Sequence, residues 1–196
     1  MPVWKIVTNF GDTAVTFPLA LLMTVFLCVM SYTRAALGWS VSIISCAGFI
    51  AILKIALFAC GHSLPIPELV SPSGHMAMST AVYGGFAIVS GTALTRPARD
   101  IVIAGAIALI ASIGTSRLLL HYHSLVEVGV GLGVGAGALA MIMLIMTRSR
   151  LEGLRIGYLA AGAVVVACLF YGERWSAEAT MHNVAQWLNV LHAWCS

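Results

Sequence analysis

Six long runs of apolar residues, separated by short polar segments, dominate the chain. They cover residues 14–33, 37–60, 75–94, 101–117, 124–146 and 156–172. A transmembrane α-helix needs about 20 such residues, and a helix satisfies its own backbone hydrogen bonds in lipid. The pattern therefore predicts an all-α fold: a six-transmembrane-helix bundle with short loops, built as a single integral-membrane domain over residues 1–196.

A different pattern follows the last run, over residues 176–195. Apolar residues recur there at three- and four-residue steps, at Met181, Val184, Leu188, Leu191 and Cys195. This spacing predicts a C-terminal amphipathic interfacial helix, and Trp187 and Trp194 suit the headgroup region of a bilayer. Two interpretations stay open: a helix lying on the membrane surface, or a lid through which a lipid enters.

The fifth run contains glycines at every second position from Gly129 to Gly137. They form overlapping G-x-x-x-G pairs, which allow helix backbones to approach closely in lipid. Because they follow no strand and include no P-loop lysine, the pattern favours close helix packing over nucleotide binding.

Composition supports the membrane assignment. The chain is 60% hydrophobic and 9% charged, whereas an ordinary soluble domain is roughly 25% charged. These values exclude a soluble globular enzyme, a disordered chain and a nucleic-acid-binding protein. Ionisable residues at membrane depth are energetically costly, so the few that this chain carries are candidates for function.

The distribution of basic residues predicts the topology. Six spans place both termini on one side, together with the loops at 61–74 and 116–123. The loops on the other side carry Arg34, Arg96, Arg99, Arg148, Arg150 and Arg155. Since positive residues mark the cytoplasmic side, we expect a multi-pass protein of the cytoplasmic (inner) membrane, with both termini facing the periplasm or an equivalent extracytoplasmic space.

The third run begins with Pro72-Ser73-Gly74-His75 on the predicted extracytoplasmic side. Ser73 is a good helix N-cap, and a helix start presents free backbone N–H groups that suit an anion such as phosphate. His75 would then stand beside that anion.

A second group follows the fourth run, on the same side. Ser116-Arg117 is followed by His123 and, one helical turn later, by Glu127. The carboxylate can accept a hydrogen bond from one ring nitrogen of His123, which fixes the tautomer and leaves the other nitrogen free to attack. Arg117 offers planar, bidentate donors for phosphate oxygens, and Lys54 can extend toward the same face.

Both groups resemble motifs of the type 2 phosphatidic acid phosphatase superfamily, which also includes bacterial acid phosphatases and vanadium haloperoxidases. Pro72-Ser73-Gly74-His75 is similar to its second signature. Ser116-Arg117, His123 and the acid Glu127 are similar to its third. The resemblance extends from Lys54 to Glu127, and two signatures in the right order are far more specific than one.

The resemblance implies a role for each residue. His123 would be the nucleophile that forms a phosphohistidine, Glu127 would orient it, and His75 would protonate the leaving oxygen and later activate water. No metal or other cofactor is implied. The residues implied to hold the phosphate are Lys54, Ser73, Gly74 and Arg117.

Two positions depart from the family pattern. The orienting acid is usually Asp, and Glu127 is one methylene longer. The first signature normally has Arg-Pro six residues after its lysine, but here Lys54 is followed by Gly61-His62. His62 is therefore a candidate to replace the missing arginine in phosphate binding.

The leading hypothesis is a membrane lipid phosphatase that acts on the extracytoplasmic face through a phosphohistidine intermediate. Its partner would be a phosphorylated lipid within the bilayer: a polyprenyl pyrophosphate such as undecaprenyl pyrophosphate, or alternatively phosphatidate, phosphatidylglycerol phosphate or a lipid A phosphate. A polyprenyl substrate is favoured because the site faces outward and the protein is small.

Three alternatives stay open. The phosphohistidine could pass its phosphoryl group to a second lipid, which would make the protein a phosphotransferase. A non-catalytic lipid-binding or transport protein could retain the same fold. A metal site is a further chemistry for the same residues, with zinc held by His62, His75, His121, His123 and Glu127.

Overall fold

The computed structural model describes residues 2–60, 68–147, 149, 151, 153–173, 175, 181, 183–184 and 186–187. In these ranges the chain is helical and has no β-strand, as the apolar runs predicted. The helices are α1 Pro2–Asn9, α2 Thr13–Val29, α3 Thr33–Cys60, α4 Gly74–Gly91, α5 Arg96–Leu119, α6 Leu125–Met146 and α7 Ile156–Phe170.

Helices α2 to α7 correspond to the six apolar runs, with ends that differ by a few residues. Four segments are long and apolar enough to cross a membrane: Pro2–Val29, Thr33–Phe58, Arg96–Leu119 and Leu125–Met146. α7 is a shorter apolar helix of 15 residues. Several long apolar helices indicate a multi-pass membrane protein. That the chain crosses the membrane six times stays a prediction.

Helix α4 occupies the centre of the bundle and packs against α2, α3, α5 and α6. Thirteen of its 18 residues are buried, among them Ser79, Thr80 and Ser90. The Thr80 hydroxyl donates to the carbonyl of Met76 at 2.7 Å, so its polarity is satisfied within the helix. Because protein rather than lipid surrounds α4, small and hydroxylated residues are tolerated, which explains why it is less apolar than α2 and α6.

The close contact between α4 and α6 depends on two glycines of α6. A Cβ at Gly131 would overlap the carbonyl oxygen of Ser73, and one at Gly135 would lie 2.6 Å from the carbonyl oxygen of Ala77. One pair of the predicted G-x-x-x-G series therefore packs the helices together. Apart from the helix's own backbone, no described residue has an atom within 4 Å of a Cβ built at the alternate positions Gly129, Gly133 and Gly137.

The ionisable residues separate toward the two ends of the bundle. The start of α4, the end of α5 and the start of α6 meet at one end, which carries His75, Arg117 and Glu127. At the other end the side chain of Arg99 packs against Gly91. The predicted grouping of catalytic candidates at one end is thus present, and which side of the membrane this end faces stays a prediction.

Helix α1 was not predicted from the apolar pattern. It has eight residues, buries Thr8 and packs against α5. A helix this short is not stable by itself, so we attribute its formation to packing against α5. Residues 176–195, predicted as an amphipathic helix, lie largely outside the described residues, as does His62.

Replacing Gly131 by Ala tests the packing of α6 on α4. The added methyl group would press on the backbone of Ser73, so we expect the free energy of unfolding to fall by about 1–3 kcal/mol. Gly133→Ala is the matched control, because that position is exposed and open. Equilibrium unfolding in mixed detergent micelles measures both; equal stability of the two variants would contradict the packing.

Candidate active site

A capping box at the start of α6 holds Glu127 in place. The Ser124 hydroxyl accepts from the backbone N–H of Glu127 at 3.2 Å, and the Glu127 carboxylate accepts from the N–H of Ser124 at 3.0 Å. A glutamate suits this reciprocal cap because its side chain is long enough to turn back to the N-cap. The methylene that distinguishes Glu127 from the usual aspartate therefore has a local structural role.

The same carboxylate orients His123. Its Oε2 atom lies 2.9 Å from Nδ1 of His123, and both side chains are buried. With the proton on Nδ1, the Nε2 atom carries the lone pair that a nucleophile needs. The predicted pairing of His123 with Glu127 is present in the structure.

The second oxygen of Glu127 binds the segment before α4. Oε1 accepts from the backbone N–H groups of Val70 at 3.0 Å and of Ser71 at 2.5 Å. The Glu127 carbonyl also accepts from the N–H of Ser73 at 3.0 Å. A buried carboxylate needs such donors, because burying a charge without partners is costly. Glu127 thus links His123 to the start of α4.

The environment of His123 favours its neutral form. Burial lowers the pKa of His123 below its ordinary value, its bond to Glu127 opposes this shift, and the nearby cation of Arg117 adds to it. The neutral imidazole that this shift favours is the form that can act as a nucleophile.

The end of α5 brings Arg117 next to His123. The carbonyl of Arg117 accepts from the N–H groups of Tyr122 and His123, at 3.0 and 3.4 Å, which folds the loop back onto the helix. His121 has a φ of 54°, and this left-handed residue turns the chain. The guanidinium lies 4.6 Å above the Tyr122 ring and donates to the Thr8 hydroxyl at 3.2 Å.

At the start of α4, Ser73 is the N-cap, and its hydroxyl accepts from the N–H of Met76 at 3.4 Å. His75 follows in the first turn. Lys54 is buried beside this helix start, and its ammonium donates to the Ser71 hydroxyl at 2.9 Å. A Cβ at Gly74 would lie 3.8 Å from Cε of Lys54, so the lysine runs alongside the residue that precedes His75.

These elements enclose a polar cavity of about 320 Å³, lined by Thr8, Asn9, Asp12, His75, Arg117, Tyr122 and His123. Its wall includes His75, Arg117 and His123 of the predicted site, with Glu127 directly behind His123. Lys54, Ser73 and Gly74 lie behind the wall at the start of α4.

The sequence analysis missed four residues of the wall: Thr8, Asn9, Asp12 and Tyr122. Three come from α1 and the turn that follows it, where the chain has no recognisable motif. Asp12 nevertheless carries a signal, since it is the sole acidic residue among the first 67 positions. It directly precedes the first apolar run, on the side of the membrane where the sequence also predicted the histidines.

The residues of the alternative metal site do not form a cluster of ligands in the described part of the chain. Within the part of the chain that the structure describes, no three His, Cys, Asp or Glu side chains are grouped as a metal site would require. The side chain of His121 is exposed, whereas that of His123 is directed to Glu127.

Comparison with known proteins supports the resemblance carried by the motifs. Residues 56–151 match the model of the PAP2 superfamily, the family that the two motifs predicted. The superfamily includes phosphatases, which hydrolyse phosphoric esters. The matched segment includes both signatures and excludes α1 and Asp12.

A relative in Klebsiella pneumoniae, described as an uncharacterized 22.5 kDa protein in the cps region, is 27% identical over 126 residues. The aligned region covers 64% of this chain and 60% of the relative. No solved structure matches the chain significantly.

Glu127→Gln tests the orienting carboxylate. The amide can still turn back to the N-cap but carries no charge, so kcat for phosphate release should fall by about 100-fold. Removal of the carboxylate also removes the group that opposes the lowered pKa of His123. The acid limb of the pH–rate profile should therefore move to still lower pH. Glu173→Gln, at an exposed position, is the control; equal kcat for the two variants would contradict the role.

Proposed function

We propose that the protein is a membrane lipid phosphatase that hydrolyses a phosphate monoester or pyrophosphate on a lipid through a phosphohistidine at His123. One observation carries the proposal: His123, held by Glu127 through Nδ1, faces the same cavity as His75 and Arg117. A nucleophile, a proton donor and a phosphate-binding cation are the groups that phosphoryl transfer to an imidazole requires.

In the first step, Nε2 of His123 attacks phosphorus while the bond from phosphorus to the leaving oxygen breaks. His75, in its protonated form, transfers its proton to that oxygen, and the lipid leaves as an alcohol or as a shorter phosphate. Charge on the transferred group is stabilised by Arg117 and by the positive end of the α4 dipole.

In the second step, water attacks the phosphohistidine. His75 is now neutral and accepts the proton of the water as the new P–O bond forms and the P–N bond breaks. Inorganic phosphate leaves, and both histidines return to their starting protonation states. Each histidine is used in both steps, so removal of either should stop turnover.

Lys54, Ser73 and Gly74 support the phosphate site from behind its wall. The buried ammonium of Lys54 places a positive charge at the start of α4. In this scheme Lys54 strengthens the field that attracts a phosphate, while Arg117 contacts it directly. His62 remains our candidate for the position where the family has an arginine.

A lipid substrate fits the position of the cavity. The catalytic groups lie at one end of a bundle whose helices expose large apolar residues, such as Leu21, Ile52 and Leu169, along their outer faces. A lipid can keep its tails in the bilayer while its phosphate reaches this depth. We favour a polyprenyl pyrophosphate, and we place the site on the extracytoplasmic side because the arginine-rich end suits the cytoplasm.

A panel of phosphorylated lipids tests the proposal. Purified protein in EDTA should release phosphate from at least one of undecaprenyl pyrophosphate, phosphatidate and phosphatidylglycerol phosphate. His123→Asn should lower the rate at least about 1,000-fold, because the nucleophile is lost. His121→Asn is the matched control: its side chain is exposed, and asparagine accepts a left-handed backbone.

Three results would contradict the proposal. Phosphate release that survives His123→Asn would remove the phosphohistidine. Loss of activity both in EDTA and in His121→Asn would instead indicate the metal site. Appearance of the labelled phosphoryl group on a second lipid, with none in inorganic phosphate, would identify a phosphotransferase.

A further inference from the structure

Asp12 places a carboxylate on the wall of the cavity that His75 and His123 also line. Its Oδ2 atom lies 3.6 Å from Nε2 of His75, and both residues line the cavity. Neither signature includes Asp12, and it precedes the segment that matches the superfamily. A carboxylate beside a cavity for phosphate is unfavourable by itself, because like charges repel. Its presence there therefore requires an explanation.

Helix capping accounts for only part of Asp12. The residue is the N-cap of α2, and its Oδ1 accepts from the N–H of Ala14 at 2.9 Å. The two other helices that begin at this site are capped by the uncharged residues Ser73 and Ser124. Since serine caps a helix as well as aspartate does, the cap does not explain the negative charge.

The turn between α1 and α2 lies unusually close to His75. A Cβ at Gly11 would be 3.3 Å from Cδ2 of His75, 3.1 Å from the Ser79 hydroxyl and 2.8 Å from Cγ2 of Ile113. A residue larger than glycine would push the turn away from α4. Gly11 therefore allows Asp12 to face the imidazole edge that carries Nε2.

The charges around His75 show what Asp12 contributes. Arg117 from α5 lines the same cavity as His75, and Lys54 from α3 runs alongside the adjacent Gly74. Two cations beside a buried imidazole disfavour a further positive charge on it. His123 shares the cavity from the α5–α6 loop, where it binds Glu127. Asp12, from the α1–α2 turn, is the carboxylate that lines this cavity, and it lies at ion-pair distance from the His75 ring, where an opposite charge favours the imidazolium.

We propose that Asp12 is a positioning residue that favours the protonated form of His75 and directs its ring into the cavity before the first step. This inference rests on the proposed function, in which His75 gives its proton to the leaving oxygen. Asp12 stays a carboxylate throughout: the proton moves from His75 to the leaving oxygen as the P–O bond breaks and the P–N bond to His123 forms. When water later returns a proton to His75, the same carboxylate stabilises the imidazolium.

Asp12→Asn separates this role from capping. The amide oxygen can still accept from the N–H of Ala14, but the charge is gone. Asp12→Ser gives a second neutral variant, with a cap of the kind that the chain uses at Ser73 and Ser124. The control is Asp100→Asn, because Asp100 also lies 3.6 Å from a cationic side chain, that of Arg99, but is exposed and remote.

The first readout is an NMR titration of the histidine rings in lipid nanodiscs, with the His75 signal assigned by its loss in His75→Gln. In both neutral variants His75 should lose its proton about one pH unit lower than in the wild type, because an opposite charge has been removed. Asp100→Asn should leave the titration unchanged. This readout does not depend on any substrate.

The second readout is the pH–rate profile with the lipid that the panel identifies. The alkaline limb of kcat should move down by the same unit, with kcat about tenfold lower above that limb and little change in KM. An unchanged His75 titration in either neutral variant would overturn the proposal and leave Asp12 as a cap. If the wild type released no phosphate from any lipid, the proposed function would fail, while the NMR titration would still decide the role of Asp12.

Discussion

The buried charge of Glu127 is the constraint on which the site depends. A carboxylate at 6% exposure must be surrounded by donors, and the chain supplies them from three places: the segment before α4, the N-cap of α6 and the ring of His123. Satisfying one charge thus determines how the start of α4 lies against α6. It also determines which nitrogen of His123 remains available for chemistry.

The starts of α2, α4 and α6 all lie beside the cavity, each with a polar N-cap: Asp12, Ser73 and Ser124. Helix starts carry a partial positive charge, so their arrangement favours a bound phosphate before any side chain is considered. The N-cap residues have different roles. Ser124 belongs to the box that holds Glu127, and in our proposal Asp12 acts on His75. Each histidine would have its own carboxylate at the start of a neighbouring helix.

The sequence predicted the helices well because lipid imposes a simple rule of length and polarity, and α2 to α7 correspond to the six apolar runs. It also predicted that His75, Arg117, His123 and Glu127 come together, since their two motifs lie at helix ends that a bundle must bring to one side. The central position of α4 could not be predicted. The mild polarity of α4 is tolerated because other helices surround it, and the local sequence does not show which helices those are.

The wall formed by α1 was beyond sequence reasoning for a related reason. A helix of eight residues has little intrinsic stability. Thr8 becomes a residue of the site only because the fold places its hydroxyl where Arg117 can donate to it. Asp12 was not predicted as a site residue although it is an isolated acid, because its distance from His75 depends on the tertiary fold. Lys54 was expected near a phosphate, and the structure adds its contact with Ser71.

The most direct test of the account is to trap the covalent intermediate. A lipid pyrophosphate labelled in its terminal phosphate would be mixed with His75→Ala, in which water attack should be slow, and the reaction would be quenched in alkali, where phosphohistidine survives. The account predicts label on the peptide that contains His123, and none when His123→Asn is added to the same variant. Label on a different residue, or turnover of the lipid by the wild type without any labelled protein, would contradict it.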